Sequence, residues 1–142
     1  MKKQKGFTLI ELLIVISIIG ILAAILTANF IGVRQRGRDA QRKTNIRNMQ
    51  SALELYRSDQ SNYPVSLPAC GASLVDPVNG TTTYMKTIPC DPQGGSYQYV
   101  GTSTTYTLVS CLENTGDSDA TTTKPNGFTA CSSGSYFVVT NP

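Results

Sequence analysis

Histidine is absent from the 142-residue sequence. Its absence excludes histidine-based acid–base catalysis and histidine metal sites. None of the cysteines forms a Cys-x-x-Cys pair, which argues against a zinc or redox centre. The sequence also shows neither a nucleophile motif nor a phosphate-binding loop. These absences predict that the chain is not an enzyme.

The composition differs sharply between the two ends of the chain. Residues 7–33 are almost entirely apolar, whereas the part after Ser58 is rich in Ser, Thr, Gly, Asn, Pro and Tyr. The polar part has about 85 residues, so it has room for one small core that is only marginally stable without covalent cross-links. We therefore expect one small domain behind an apolar segment.

Residues 7–33 are long enough to cross a membrane as a helix. About 27 residues with a rise of 1.5 Å each give about 40 Å, which spans a bilayer with tilt. A secretory signal peptide is the alternative, but its apolar region is far shorter. Lysines at positions 2, 3 and 5 precede the run and place its start on the cytoplasmic side, with the polar part outside.

Glu11 is an acidic residue inside this apolar run. An ionised carboxylate at such a depth costs at least ~2.5 kcal/mol, so an intramembrane acid indicates a functional site. The simpler interpretation is a residue close to the cytoplasmic edge, whose carboxylate reaches the interface. The neighbouring residues favour the first interpretation.

The string Lys5-Gly6-Phe7-Thr8-Leu9-Ile10-Glu11, followed by the apolar run, resembles the prepilin processing motif of type IV pilins and type II secretion pseudopilins. The resemblance implies that a prepilin peptidase cuts between Gly6 and Phe7 and methylates the new N-terminus. Glu11 is then the assembly residue, whose carboxylate neutralises the amine of Phe7 in the same or a neighbouring subunit.

A helical pattern continues beyond the apolar run. Ile46, Met49, Leu53 and Tyr56 recur at steps of three and four residues. Pro64 is the decisive stop signal. We expect one helix from about residue 8 to residue 58, about 75 Å long. Many members of the resembling family carry a proline at the position of Ala28, so the kink that this proline would cause is not expected here.

Six basic residues between Arg34 and Arg47 follow the apolar run, a pattern that raises the question of nucleic-acid binding. No aromatic residues interleave with these charges, which argues against a platform for single strands. Contacts with anionic head groups, or with acids of neighbouring helices, are the better-supported interpretation. Nucleic acid is therefore not expected as a partner.

Three short runs after the helix have the composition of β-strands: residues 96–100, 106–110 and 136–139. They predict an antiparallel sheet of three or four strands laid on the helix, an α+β fold. Residues 88–93, followed by Tyr97-Gln98-Tyr99, resemble the P-x-D-P…Y-x-Y stretch of major pseudopilins. Together with the N-terminal motif, this resemblance implies a pilin-like fold.

In those pseudopilins the loop after the next strand binds calcium. The matching stretch here is residues 113–119, in which Glu113, Asp117 and Asp119 are the candidate ligands. Hard oxygen ligands around a glycine are what calcium requires. The alternative, which we favour, is a solvated polar loop pinned by cysteines. No cofactor is then required, and calcium is the one candidate.

Four cysteines lie in the polar part: Cys70, Cys90, Cys111 and Cys131. An even number in an exported domain indicates disulfides made outside the cytoplasm, and four cysteines allow three connectivities. We favour pairing between neighbours in sequence. The first bridge would then close the loop after the helix, and the second would clasp the loop between the second and third predicted strands.

These features predict a structural filament subunit in the inner (cytoplasmic) membrane. Its expected parts are a leader (residues 1–6), a transmembrane and filament-core helix (7–33), an amphipathic continuation (34–58) and a globular β domain (59–142) outside the cytoplasm. The resemblance implies four kinds of partner: other copies of the chain, prepilin peptidase, an inner-membrane assembly platform and minor pilins. A major pseudopilin of type II secretion is favoured. The alternatives are a surface type IV pilin for adhesion, twitching or DNA uptake, and a minor pilin that binds a ligand.

Overall fold

The computed structural model of the chain describes residues 6–142, with the backbone alone at residues 27–29. Within these residues it contains one helix, α1 (Leu9–Gln60), and five short strands. The strands are β1 (Leu74–Val75), β2 (Thr83–Met85), β3 (Gln98–Gly101), β4 (Tyr106–Cys111) and β5 (Tyr136–Thr140). The lysines at positions 2, 3 and 5 lie outside the described residues, as does the side chain of Ala28, whose backbone is helical.

The chain divides between Arg34 and Gln35 into two compact units. The described part of the first unit consists of residues 6–34, most of them in α1. Its large apolar side chains, from Phe7 to Val33, are all exposed. This part of α1 is long and apolar enough to cross a membrane. An exposed apolar surface of this extent needs lipid or other protein to cover it.

The second unit, Gln35–Pro142, builds its core on the remainder of α1. The four residues of the predicted stripe, Ile46, Met49, Leu53 and Tyr56, are all buried. They pack in one cluster with side chains of the sheet and its edges, which include Tyr106, Leu108, Leu112 and Phe137. Full burial of such a side chain contributes about 1.5–3 kcal/mol. The helical periodicity therefore identified the core face of the helix correctly.

The main sheet has the strand order β3-β4-β5 and is antiparallel throughout. In the centre of the sheet, Leu108 of β4 pairs with Tyr99 of β3 and with Val139 of β5. Leu108 faces the helix cluster, whereas the next residue, Val109, belongs to a second cluster on the other face. Alternation along the strand thus buries both faces of β4.

The three predicted strands and the α+β class are confirmed. The antiparallel pair of β1 and β2 was not predicted. Its two strands are only two and three residues long, and the segment between them contains proline and glycine. So short a pair has no room for the alternation of apolar and polar residues from which strands are recognised.

Helix α1 ends at Gln60, two residues beyond the predicted end. Ser61 follows with a φ of 59°, a left-handed conformation that terminates helices. Near this end, Glu54 accepts the hydroxyl of Tyr63 at 2.9 Å and that of Tyr106 at 3.1 Å. One carboxylate of the helix thus holds the chain that leaves the helix and the first residue of β4.

Two disulfides cross-link the second unit. They join Cys70 to Cys90 and Cys111 to Cys131, the pairing between neighbours that the sequence favoured. Both bridges join residues 20 positions apart. The first ties the segment before β1 to the turn before β3, and the second ties the end of β4 to the segment before β5.

Candidate functional site

The predicted processing site lies directly before α1. Gly6, Phe7 and Thr8 are exposed and not helical. A protease cleft takes its substrate in extended form, and glycine adds no side chain on the leader side of the cut. The two residues on either side of the predicted cut, Gly6 and Phe7, are therefore exposed and outside the helix.

Glu11 closes the first turn of α1 onto Thr8. Its Oε2 accepts the Thr8 hydroxyl at 2.6 Å and the Thr8 backbone N–H at 2.8 Å, and Thr8 Oγ1 accepts the Glu11 N–H at 3.3 Å. These reciprocal bonds form a capping box, the Thr-x-x-Glu pattern that begins helices. This role was missed, although the spacing of the two residues was visible in the sequence.

A buried ion cluster lies where the second half of α1 meets the loops before β3 and after β4. At its centre is Arg42, whose side chain is only 2% exposed. The guanidinium donates to Asp39 Oδ1 at 2.7 Å, to the two oxygens of Asp91 at 2.6 and 2.9 Å, to Glu113 Oε1 at 2.7 Å and to Gln93 Oε1 at 3.0 Å. All five of its N–H groups are therefore used. A charge so deeply buried is tolerated because it is fully paired.

Two further side chains of α1 hold the start of the loop after β4. Arg38 donates from Nε to Glu113 Oε1 at 2.7 Å. This hydrogen bond, opposed by burial and reinforced by Arg42, lowers the pKa of Glu113 to about 2. Asp39 accepts the backbone N–H groups of Glu113 at 2.9 Å and of Asn114 at 2.8 Å. The loop is therefore held through its backbone as well as through its acid.

Lys43 holds the middle of the same loop. Its Nζ donates to Asp117 Oδ1 at 2.6 Å and to Asp119 Oδ2 at 2.8 Å. The hydrogen bond from Lys43 lowers the pKa of the Asp117 carboxyl. Burial works against the charged form of Lys43, yet the hydrogen bonds to the two carboxylates raise its pKa. Lys43 and Asp117 therefore stay charged at neutral pH.

The three acids considered as calcium ligands do not converge on one point. Glu113 faces two arginines, whereas Asp117 and Asp119 share Lys43. Calcium takes six to eight oxygen ligands around one centre. In the described part of the chain, no group of three or more Asp, Glu or Cys side chains is placed to hold a metal ion. The residues as they lie do not fit a calcium site.

The favoured alternative was a solvated polar loop, but the loop is not simply solvated. The acids of the loop are ion-paired with cations of α1, and the side chains of Glu113 and Asp117 are only 18% and 15% exposed. The loop is thus polar in sequence but fastened to the helix in the structure.

The basic residues between Arg34 and Arg47 are not a free cationic surface. Arg38, Arg42 and Lys43 are paired with acids of the same chain. Arg47 lies over the ring of Phe137, at 5.8 Å from its centroid. Half of the six positive charges are therefore satisfied within the second unit, not by neighbouring helices as the sequence suggested.

Asp39 and Arg42 continue the stripe of α1 that carries the core. The steps of three and four residues that join Ile46, Met49 and Leu53 extend backwards to Arg42 and then to Asp39. Their place in this stripe is the signal by which the sequence could have identified them as buried. Their loop partners lie 49 to 75 residues further along the chain, so no local pattern points to them.

A prepilin-type motif, an exposed apolar helical segment and an antiparallel sheet packed on the helix together indicate a pilin-like subunit, and the apolar segment fits a membrane anchor. Comparison with family models gives the same class. Residues 1–27 match the prokaryotic N-terminal methylation motif, and residues 29–125 match protein G of the type II secretion system. The chain belongs to the type II secretion system protein G family, the family of major pseudopilins. The family and the function that the sequence predicted are thereby confirmed.

Curated relatives carry the same description, type II secretion system core protein G. The protein from Vibrio cholerae is 34% identical over 119 residues, which cover 76% of this chain and 82% of the relative. That of Escherichia coli K12 is 31% identical over 117 residues (76% and 81%), and that of Pseudomonas aeruginosa is 31% identical over 110 residues (72% and 78%). No solved structure matches the chain at a significant level.

Proposed function

We propose that this chain is the major pseudopilin of a type II secretion-like system and polymerises into a filament through residues 7–33. The observation that carries the proposal is an apolar helical segment with exposed side chains directly behind a methylation motif. Such a surface is covered first by lipid and then, after extraction, by the same segment of other copies. Assembly thus replaces one apolar environment with another.

The proposal divides the chain into four parts. Residues 1–6 are the leader that prepilin peptidase removes, and residues 7–33 form the membrane anchor and later the filament core. Residues 34–58 continue the helix, and residues 59–142 form the globular domain on the outer side of the inner membrane. Two disulfides in that domain support an oxidising compartment outside the cytoplasm.

The proposed partners follow from this role. They are other copies of the chain, prepilin peptidase, an inner-membrane assembly platform and minor pseudopilins. The chain itself acts as a structural element without an activity or a required cofactor of its own. The alternatives of a surface pilin and of a ligand-binding minor pilin receive less support, because the family model that matches residues 29–125 and the relatives named above are protein G of type II secretion. Filaments at the cell surface at native expression levels would favour a surface pilin.

Glu11 provides the sharpest test, because its two roles can be separated by substitution. Glu11→Ala removes both the charge and the helix cap. Glu11→Gln removes the charge but keeps the side chain that a capping box accepts at this position. Thr8→Ala breaks the cap and keeps the charge. If Glu11 acts by neutralising the amine of Phe7, Glu11→Ala and Glu11→Gln both block filament formation, and Thr8→Ala does not.

Two measurements read out this experiment. Mass spectrometry of the membrane fraction reports cleavage after Gly6 and methylation of Phe7, which we expect in all three variants. Electron microscopy of cells that overproduce the chain reports filaments. Normal filaments from Glu11→Gln would contradict the charge-pairing role. Unprocessed Glu11→Ala would place the role of Glu11 in peptidase recognition instead.

A further inference from the structure

Lys43 occupies the place between two carboxylates where a bound cation would lie. Its ammonium nitrogen is 2.6 Å from Asp117 Oδ1 and 2.8 Å from Asp119 Oδ2. The distances are short because both contacts are charge-assisted. The side chain of Lys43 is 20% exposed, so the ion pair with Asp117 is largely shielded from water. The chain thus supplies its own cation to the acids of this loop.

The remaining acid of the loop is also engaged. Glu113 lies against the guanidinium groups of Arg38 and Arg42. A calcium ion in this loop would need these carboxylates to leave their partners and converge. It would also place a divalent cation close to the ammonium group of Lys43, and the two positive groups would repel each other.

Other contacts already give the loop the anchoring that a metal ion would provide. The disulfide between Cys111 and Cys131 closes it at its base. Asp39 binds the backbone N–H groups at its start. Lys43 adds an attachment at its centre. The loop is therefore attached at three places: by the disulfide, by Asp39 and by Lys43. All three attachments are made by groups of this chain.

We propose that the ammonium group of Lys43 replaces calcium in this chain and makes the loop between Cys111 and Cys131 independent of divalent cations. In the related pseudopilins that the sequence resembles, calcium is the ion expected in this loop. Here the ammonium group of Lys43 pairs with the loop acids instead. Because it is part of the chain, the loop does not depend on calcium in the surrounding solution. This proposal concerns the globular domain and stands whether or not the chain polymerises.

The first test uses the unmodified full-length chain in detergent micelles. Its thermal melting is followed by circular dichroism in millimolar CaCl2 and again in EGTA at the same ionic strength. We expect equal melting temperatures, together with equal rates of proteolytic cleavage within residues 112–130. A melting temperature several degrees higher in calcium, or a loop cleaved faster in EGTA, would overturn the proposal. This arm requires no substitution and therefore stands even if a variant fails to fold.

The second test removes the internal cation. Lys43→Met keeps the length of the side chain and removes its charge, and Lys86→Met removes one charge from an exposed lysine elsewhere in the same unit. Because Lys43 forms a partly buried ion pair with two acceptors, we expect Lys43→Met to melt about 4–8 °C lower than the unmodified chain. Lys86→Met should melt as the unmodified chain does. Equal melting temperatures of the two variants would contradict the proposal.

Two further variants test whether the loss comes from the acids of the loop. Asp117→Asn with Asp119→Asn removes the acceptors' charges, and adding Lys43→Met to them completes a mutant cycle. If Lys43 acts through these carboxylates, Lys43→Met has little further effect once they are neutral. An undiminished loss in the combined variant would mean that Lys43 stabilises the domain by another contact, and the proposal would fail.

Discussion

Before Arg34, helix α1 exposes apolar side chains around its whole circumference, whereas after Gln35 the same helix buries one stripe and exposes the rest. The first segment leaves its surface to be covered by lipid or by other copies. The second covers its stripe with the sheet of its own chain. The same helix therefore buries apolar surface in two ways. In the first segment the hydrophobic effect acts between molecules, and in the second it acts within the chain.

The two segments also treat charge differently. In the first, the described acid is Glu11, whose hydrogen bonds among the described residues join it to Thr8 in its own first turn. In the second, helix residues 38–43 supply four charged side chains that bind loops far away in sequence. Charge in the first segment is thus available for a partner, and charge in the second is already used to hold the domain together.

The largest effect is expected from removing the centre of the ion cluster. Arg42→Met leaves the carboxylates of Asp39, Asp91 and Glu113 without their shared guanidinium, and breaking a buried pair in this way costs about 3–5 kcal/mol. Arg36→Met is the matched control, because Arg36 is exposed on the same helix, and its effect should stay within about 0.5 kcal/mol. Urea unfolding of the full-length chain in detergent measures both.

A stable Arg42→Met variant would contradict the role given to charge in the second segment. It would mean that the helix is held to the domain by its apolar stripe alone. The cluster would then be a consequence of the fold and not one of its causes.

A smaller effect is expected from shortening an apolar side chain. In the second segment it should lower the stability of the domain, and in the first it should weaken filament formation. Leu53 is fully buried, so Leu53→Ala should lower the free energy of unfolding by about 2–5 kcal/mol. Leu22 is exposed, so Leu22→Ala should leave the melting of the domain unchanged and weaken filament formation instead. Melting curves and filament yields, measured on both variants, separate the two effects. Equal losses of domain stability would contradict the division into two units.

The two disulfides allow a matched comparison within the second unit. Both join residues 20 positions apart, so the chain-entropy model gives each about 3 kcal/mol. Cys131 is buried in the cluster of Val109, Phe128 and Tyr136, whereas Cys90 is exposed. Removing the second bridge should therefore cost more than removing the first, because it also disturbs packing.

Paired serine substitutions measured by urea unfolding check this order. Mild reduction followed by alkylation offers an independent measurement, in which Cys70 and Cys90 should be labelled before the other pair because a thiolate must reach the sulfur that it attacks. Labelling in the opposite order would show that burial does not govern access to these bridges.

The sequence revealed what depends on local pattern. The apolar run, the stripe through Ile46 and Leu53 and the three main strands all follow from periodicity within a few residues. The processing motif was recognised because Gly6, Phe7 and Glu11 lie within one short string. In each case the residues that decide the structure are neighbours in sequence.

What the sequence did not reveal depends on contacts between distant segments. Arg42 and Asp91 are 49 residues apart, and Lys43 and Asp117 are 74 apart. Asp39 and Arg42 lie on the core stripe, but charged residues are expected outside, so their burial became evident only with their partners in place. The loop acids were considered as calcium ligands beside the favoured solvated loop, and nothing local in the sequence shows that they pair with Arg38, Arg42 and Lys43.

The smallest effect is expected from lowering the pH, through the paired carboxylates of the second unit. The hydrogen bond from Arg38, opposed by burial and helped by Arg42, lowers the pKa of Glu113 from an ordinary 4.5 to about 2. Hydrogen bonds from Arg42 and from the Gln93 backbone outweigh burial and lower the pKa of Asp91 as well. A carboxyl with a depressed pKa in the folded state contributes stability that is full above the unfolded value and is lost as pH falls through the folded one.

For Glu113 the loss should therefore fall between about pH 4.5 and pH 2. Glu113→Gln should be less stable than the unmodified chain at neutral pH, and its stability should fall less steeply across this window, because it has no proton to take up at this position. Asp59→Asn, at an exposed position near the end of the helix, should keep the slope of the unmodified chain. Urea unfolding at a series of pH values measures the slopes. If the unfolding free energy of Glu113→Gln fell with pH as steeply as that of the unmodified chain, other carboxyls would cause the acid sensitivity. The ion pairs of Glu113 with Arg38 and Arg42 would then not be what stabilises the second unit against acid.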